Sequence, residues 1–436
     1  MASASSDVIV VGAGLAGASA ASALTARGLK VTVIEARDRT GGRGFARGFA
    51  GSEESLEFGG GWITPSHARI REHCRRHGVA LRPRAAVTER RWYRDGALHR
   101  DGPTSPEDRN RHERVIARIA ADAILLKSGH DKDEKGRPIA GVSFIDYLDR
   151  LDPPPATRDL LSAWWTVSGN AEKSVAPASE LLGSSAYGEG LTDAMIDVWV
   201  ETLVGGVSGL SARMIAASGA TLLQSRPVAS IRCQADGIVA TLADGTSLEA
   251  RAAVIATGLN PMRNIRFDPG LSAGKTEAIA KGHIGRAVKI WVKATGVPVG
   301  ILATGGGSGS GIEWLFAERP SADGATLLVG FGVAADGWTP AMPRDAEIAM
   351  ARFFPEAQIL AVDWHDWIAD PHSLGTWVSA IAGSEALFEH ENWRAEGRLA
   401  FASSDFAPAH AGWFEGAVTS GEAAADEIAR ALGKNQ

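Results

Sequence analysis

A short apolar, β-branched run, Val8 to Val11, is followed at once by Gly12-Ala13-Gly14-Leu15-Ala16-Gly17 and then by an alanine-rich stretch, Ala18 to Arg27. Gly28 supplies a helix stop, Lys30 to Ile34 is a second apolar run, and Glu35 ends it. A continuous apolar run bounded by turn signals is the pattern of a strand covered on both faces in a parallel sheet. Strand, glycine turn, helix, strand, acid commits the chain to an α/β core that begins with a βαβ unit.

A GxGxxG stretch alone is common, and its ordinary reading is a glycine-rich turn. Here the turn lies between strand and helix, and Glu35 falls 18 residues after Gly17, near the roughly 20 expected for an acid that binds ribose hydroxyls. Glycines let the backbone approach a pyrophosphate at the helix N-terminus, where free N–H groups and the helix dipole favour negative charge. The spacing predicts a bound dinucleotide and leaves NAD and FAD both open.

With 436 residues against a typical domain of roughly 100 to 200, two domains or two interleaved cores are expected. Hydrophobic residues make up 45% and charged residues 22%, which excludes a disordered chain. The net charge of -6 argues against a surface that coats nucleic acid. Two cysteines, Cys74 and Cys233, are too few and too far apart for a disulfide framework or a cysteine zinc site, and they fit a reducing, cytoplasmic setting. No basic segment precedes the first apolar run, and no window of about 18 apolar residues occurs, so a soluble protein without signal peptide or membrane span is expected.

The next residues choose between the dinucleotides. Glu35-Ala36-Arg37-Asp38-Arg39-Thr40-Gly41-Gly42-Arg43 resembles the long FAD fingerprint of the flavin-containing amine oxidases, a family that includes monoamine oxidase. Gly59-Gly60-Gly61-Trp62-Ile63 matches the family segment that passes close to the isoalloxazine ring. The closing FAD motif is matched by Phe401 to Asp405, Ala411 to Ala417 and Ser420 to Ala424, although Ser403-Ser404-Asp405 stands where the family usually has Gly-Thr-Glu. Gly205-Gly206, Arg226-Pro227-Val228 and Ala253 to Thr257 match internal segments in the right order. The resemblance, to a soluble bacterial-type member, thus runs nearly end to end. It implies a Rossmann-like FAD-binding domain (1–80, 205–284 and 396–436) interleaved with an α+β substrate-binding domain (81–204 and 285–395). It also implies FAD contacts from Gly12, Gly14, Gly17, Glu35, Ala36, Arg37, Gly42, Arg43, Gly60, Gly61, Trp62, Val228, Trp367, Asp405 and Phe414. The charged stretch Asp101 to Arg137 reads as surface helix and loop, and Gly305 to Gly311 as a flexible loop.

Lys289 lies in Gly285-Arg286-Ala287-Val288-Lys289-Ile290-Trp291, an alternating strand whose lysine would ordinarily face solvent. The segment is similar to the one whose lysine, in the family, holds a water at flavin N5. Trp377 and Trp413 match the two residues whose rings flank the substrate. The family commonly has tyrosine at both, and this chain has 13 Trp and 3 Tyr, so an all-indole slot is expected. Trp62, Trp199, Trp314, Thr166 and Val167 align with pocket-wall positions, for each of which core packing is the plain alternative. A cavity walled by them would be bulky, aromatic and uncharged, suited to an alicyclic or arylalkyl amine. His67, His73 and His77 read as a solvated helix face, and no metal site is expected.

The resemblance therefore implies an amine oxidase with non-covalent FAD: Thr376 stands where some members carry the cysteine that bonds the flavin. The amine would pass hydride to flavin N5, water would hydrolyse the imine, and O2 would be reduced to hydrogen peroxide. The expected partners are a small amine and O2, with no nucleic acid and no membrane, and a homodimer is admissible. A dehydrogenase with another electron acceptor, a desaturase or porphyrinogen oxidase, and a non-catalytic flavoprotein scaffold are the rival readings.

Overall fold

The structure, a computed structural model, describes residues 6–50, 54–187, 199–306, 311–335 and 337–434. The strand Ser6–Val11 lies between Val31–Ile34 and Ser247–Ile255, parallel to both, and Thr221–Leu223 extends the row beyond Val31–Ile34. Leu399–Phe401 joins the C-terminal end of Ser247–Ile255 in parallel, while its N-terminal end pairs antiparallel with Ile238–Leu242. Val8 and Val10 are fully buried, as expected of a strand covered on both faces.

The first helix spans Leu15–Ala26, three residues earlier than the alanine run suggests, so Gly17 lies inside it. A Cβ on Gly17 would come within 1.9 Å of the Gly12 carbonyl oxygen, so the glycine is needed for packing within the turn. The last helix, Phe414–Ala431, lies against the first, and a Cβ on Gly421 would meet the Ala16 carbonyl oxygen at 2.2 Å. Ser19 Oγ donates to the Val418 carbonyl across the same contact.

A second sheet has the order Gln358–Trp364, Ala287–Thr295, Thr326–Val333, Ile312–Pro320, Ile301–Gly305, Glu89–Arg94, Ala97–His99. Its strands are antiparallel except for the Ile301–Gly305 and Glu89–Arg94 pair. In Ala287–Thr295, Val288, Ile290 and Val292 pack with Ala346, Met350 and Phe353 of the helix Arg344–Phe353. Trp291 faces the other way, into an aromatic cluster with Trp62, Trp164, Trp199, Trp314 and Phe331. A small sheet pairs Trp62–Ile63 and Leu81–Pro83 with Glu201–Leu203. Within the charged stretch 101–137, the helix Arg109–Lys127 buries only Val115, Ile119, Asp122 and Ala123. Of the glycine-rich stretch 305–311, residues 307–310 lie outside the described residues. Among the described residues no helix is long and apolar enough to cross a membrane.

Candidate functional site

The sheet register brings Val11 level with Ile255, so the glycine turn that follows is laid against Ala256. Gly12 has φ +110°, and a Cβ there would lie 2.5 Å from the Ala256 carbonyl oxygen. The second glycine turn abuts the first: a Cβ on Gly14 would be 3.7 Å from the Gly42 Cα. These turns border a cavity of about 1080 Å³ whose walls come from both sheets, just above the range of roughly 300 to 1,000 Å³ usual for small-molecule and cofactor sites.

Two helix N-termini open on this cavity. Gly14, Leu15 and Ala16 line it at the start of the first helix, and Trp413 and Phe414 at the start of the last. Neither helix has a side-chain cap at its N-terminus, so first-turn amides are available to an anion or an electron-rich ring. Glu35 is buried and lines the cavity too, its carboxylate accepting from the amides of Ala13 and Arg37, both at 2.8 Å. Ala36, Arg37, Gly42, Arg43, Gly60, Gly61, Trp62, Val228, Trp367 and Asp405 complete the expected set along the walls. Gly17 stands apart, supporting Gly12 from behind. A glycine turn with no room for a Cβ at Gly12 or Gly17, uncapped amides and a buried acid together fit the phosphates and ribose of FAD.

Arg43 binds the segments around the cavity together. It donates to the Thr376 carbonyl at 2.5 Å, to Ser404 Oγ at 3.0 Å and to Asp405 Oδ1 at 2.6 Å. Asp405 is fully buried and also accepts from the Leu259 amide at 2.9 Å. Burial would raise its carboxyl, but Arg43, His283 and that amide outweigh it and hold the group below the usual range.

Lys289 is buried and does not face solvent. Its Nζ donates to the carbonyls of Glu57, at 2.7 Å, and Gly59, at 2.8 Å, and sits 5.0 Å from the centre of the Trp62 ring. A Cβ on Gly61 would be 3.1 Å from that nitrogen, so the third glycine of Gly59-Gly60-Gly61 makes room for the ammonium. Burial brings the Lys289 pKa down to about 8, with Glu57 and Glu318 pulling the other way. Glu57, unmarked in the sequence, accepts from the amides of Phe45, Gly59 and Val207 at 2.5, 2.8 and 3.1 Å.

Trp62 and Trp199 stack with ring centres 5.4 Å apart, and Phe331 tilts against Trp62 at 5.9 Å. All three line the cavity, as do Val167, Trp377 and Trp413. A Cβ on Gly412 would lie 3.6 Å from the Trp377 Cβ, which brings the two expected flanking segments side by side. Trp314 and Thr166 do not line it. Trp314 lies behind the wall, edge-on to Trp199 and Phe331, and Thr166 turns its hydroxyl to the Ala163 carbonyl within the helix Pro155–Ser168.

Two further expectations need correction. The cavity is not uncharged throughout: Glu180, Glu385, Glu389 and Glu391 line another part of it, and burial with the neighbouring Glu385 pushes Glu180 up to about 8. Of the early histidines only His77 is partly open to solvent. His67 and His73 are buried beneath the last helix, and His73 Nε2 lies 3.3 Å from Glu422 Oε1. Among the described residues no group of His, Cys, Asp and Glu could hold a metal ion.

The family model described as flavin containing amine oxidoreductase matches residues 15–429. (S)-6-Hydroxynicotine oxidase of Paenarthrobacter nicotinovorans is 30% identical, over 97% of this chain and 99% of its own length. Pseudooxynicotine dehydrogenase of Pseudomonas sp is 26% identical, over 98% and 87% respectively. Among solved structures, cyclohexylamine oxidase from Brevibacterium oxydans IH-35A matches with a TM-score of 0.82 at 22% identity, over 98% of this chain and all 100% of that one.

Proposed function

Because the chain belongs to the flavin-containing amine oxidoreductases, and is an FAD enzyme of the amine oxidase fold, we propose that its substrate is an alicyclic or arylalkyl amine and its electron acceptor O2. The amine loses two electrons and two protons to become an imine, which water hydrolyses to a ketone or aldehyde, and O2 becomes hydrogen peroxide. Residues 1–80, 205–284 and 396–436 form the flavin unit in this reading, and 81–204 and 285–395 the substrate unit.

The observation that carries the reading is the aromatic stretch of the cavity around one buried lysine: Trp62, Trp199, Phe331, Trp377 and Trp413 with Lys289. Bound FAD supplies the redox chemistry, taking hydride from the amine and passing its electrons on. The indole faces attract the incoming ammonium, by roughly 0.5 to 2 kcal/mol, and the dry slot lowers its pKa toward the neutral amine. Lys289 would hold a water by a charged donor at the reacting end. The cavity arginines are committed elsewhere, Arg37 to Asp370, Arg43 to Asp405 and Arg226 to Asp244, which speaks against an amino-acid substrate.

An anaerobic amine panel scored by bleaching of the flavin absorbance tests this reading, with amines of the nicotine and cyclohexylamine type included because the relatives are named for them. A panel without bleaching would leave the scaffold reading standing. One relative is named a dehydrogenase, and stopped-flow reoxidation separates that reading: slow return of colour in air, with rapid return on a quinone, would replace O2 as acceptor.

Trp377→Ala and Trp413→Ala are each expected to lower kcat/KM about tenfold or more while the flavin spectrum and unfolding midpoint survive. If both variants fail to fold, the two indoles belong to the core. FAD should also be held without a covalent link. Thr376 Oγ1 donates to Asn170 Oδ1 and accepts from the Ala287 amide, and a hydroxyl forms no thioether. Cys74 is buried in the helix Ala68–Arg76 and Cys233 ends the strand Val228–Cys233. Acid or heat denaturation should put all the yellow colour in the supernatant, and colour in the pellet would refute this.

A further inference from the structure

The histidine that opens the helix Ala68–Arg76 stands where a capping residue belongs, yet its side chain makes no capping bond. That duty is performed from another part of the chain. The Glu415 carboxylate accepts from the Arg69 amide at 2.8 Å and the Ile70 amide at 2.9 Å, clamping the helix start to the start of the last helix. Arg69 pairs further along with Glu422. The imidazole of His67 is thereby released from helix capping.

Its ring is held in one orientation. Nδ1 accepts from the Thr64 amide at 3.3 Å, which leaves the proton on Nε2. In that orientation the ring meets Trp413 with centres 5.2 Å apart at 66°, and His410 at 5.3 Å and 90°. Both are edge-to-face arrangements, in which the positive rim of one ring faces the negative face of the other. Trp413 lines the cavity and His67 lies behind it, fully buried.

We propose that His67 is a positioning residue: its edge fixes the plane of the Trp413 indole and so sets the width of the substrate slot. The proposal rests on reading Trp377 and Trp413 as the walls of that slot. A wall side chain with one face open to a cavity can rotate unless something behind it prevents this; among the described ring contacts of Trp413 that place is taken by His67, whose own ring is braced by His410. Burial brings the His67 pKa down to about 3, with His410 and Arg71 adding repulsion. The supporting ring is therefore neutral at ordinary pH and does not oppose an ammonium on the far side of the indole.

Two substitutions separate the ring from the hydrogen bond. His67→Phe keeps a planar edge and loses the acceptor for Thr64, whereas His67→Asn keeps an acceptor and loses the ring. With any amine that bleaches the flavin, His67→Asn should lower kcat/KM roughly tenfold, mostly in kcat, and His67→Phe should stay within about twofold of the parent. In a Trp413→Ala background His67→Asn should add less than about twofold, because its effect passes through the missing indole. The near-ultraviolet circular dichroism of the flavin-free protein gives a second readout, in which His67→Asn should alter the tryptophan band in the parent but not in Trp413→Ala. If His67→Asn does not fold, His67→Leu fills the space without a planar edge and carries the same expectation. Equal losses in Phe and Asn, or losses that multiply with Trp413→Ala, would overturn the proposal. Failure of every amine to bleach the flavin would count against the substrate reading instead, and the dichroism would still decide the role of His67.

Discussion

Lys289→Met should retain FAD and slow flavin reduction, reoxidation or both by roughly a hundredfold, the scale on which a single preorganised polar donor acts in a dry site. Methionine keeps an unbranched chain of similar length, so the strand packing survives while the ammonium is lost. The Glu57 carbonyl keeps a donor in Trp291 Nε1, at 3.0 Å, which limits the structural cost. A pH signature accompanies the rate. Since the pKa is about 8, the parent should show a step near that pH in the affected half-reaction, and the variant should not. The stability consequence has a definite sign. Between that pKa and the higher value of an unfolded lysine, the unfolded chain binds more protons than the folded one, so parent stability rises with pH across this window and the variant lacks the rise. Stopped-flow traces in which both half-reactions match the parent would remove Lys289 from the site.

Arg43→Ala is expected to cost about 3 to 5 kcal/mol, because it leaves Asp405 as an uncompensated charge in the interior. It also removes the donor to the Thr376 carbonyl, next to the flanking Trp377. FAD retention should fall with stability, since both partners line the cavity. Asp405 titrates below an ordinary carboxyl, so its contribution is present in full above the unfolded value and is lost as pH falls through the lower folded one. Acid unfolding of the parent should carry this component, and the variant should lack it. Denaturant melts within about 1 kcal/mol of the parent would show that the pair contributes little, and adding Asp405→Ala should restore part of the loss if the unpaired charge is its cause.

The fold was legible where its signal is local. Val8 to Val11, the glycine turn and Glu35 follow one another, and each constrains its neighbours. The start of the first helix was misplaced because what requires Gly17 is the Gly12 carbonyl lying over it, a contact that no helix propensity records. At the site, Lys289, Trp377 and Trp413 were found through the family resemblance; spacing alone favoured a solvent-facing lysine and core tryptophans. Glu57 and His67 were missed or misread because their partners are distant in sequence, Val207 for the first and Trp413 for the second. Histidines beside and within a short, strongly basic helix have the pattern of a wet surface, and only the last helix lying across His67 and His73 makes those two dry. Trp199 and Trp314 differ by one layer of depth, which alternation along a strand does not encode.

The strand Ser247–Ile255 has neighbours from the beginning and the end of the chain at once: Ser6–Val11 on one edge and Leu399–Phe401 on the other. During synthesis the glycine turn therefore emerges long before its sheet partner, and longer still before the last helix that lies over it. Contacts of such sequence separation close late and at high entropic cost, so the dinucleotide cradle is an unfinished surface for most of translation. FAD capture is therefore expected late in folding, once the helix Phe414–Ala431 has packed on Leu15–Ala26.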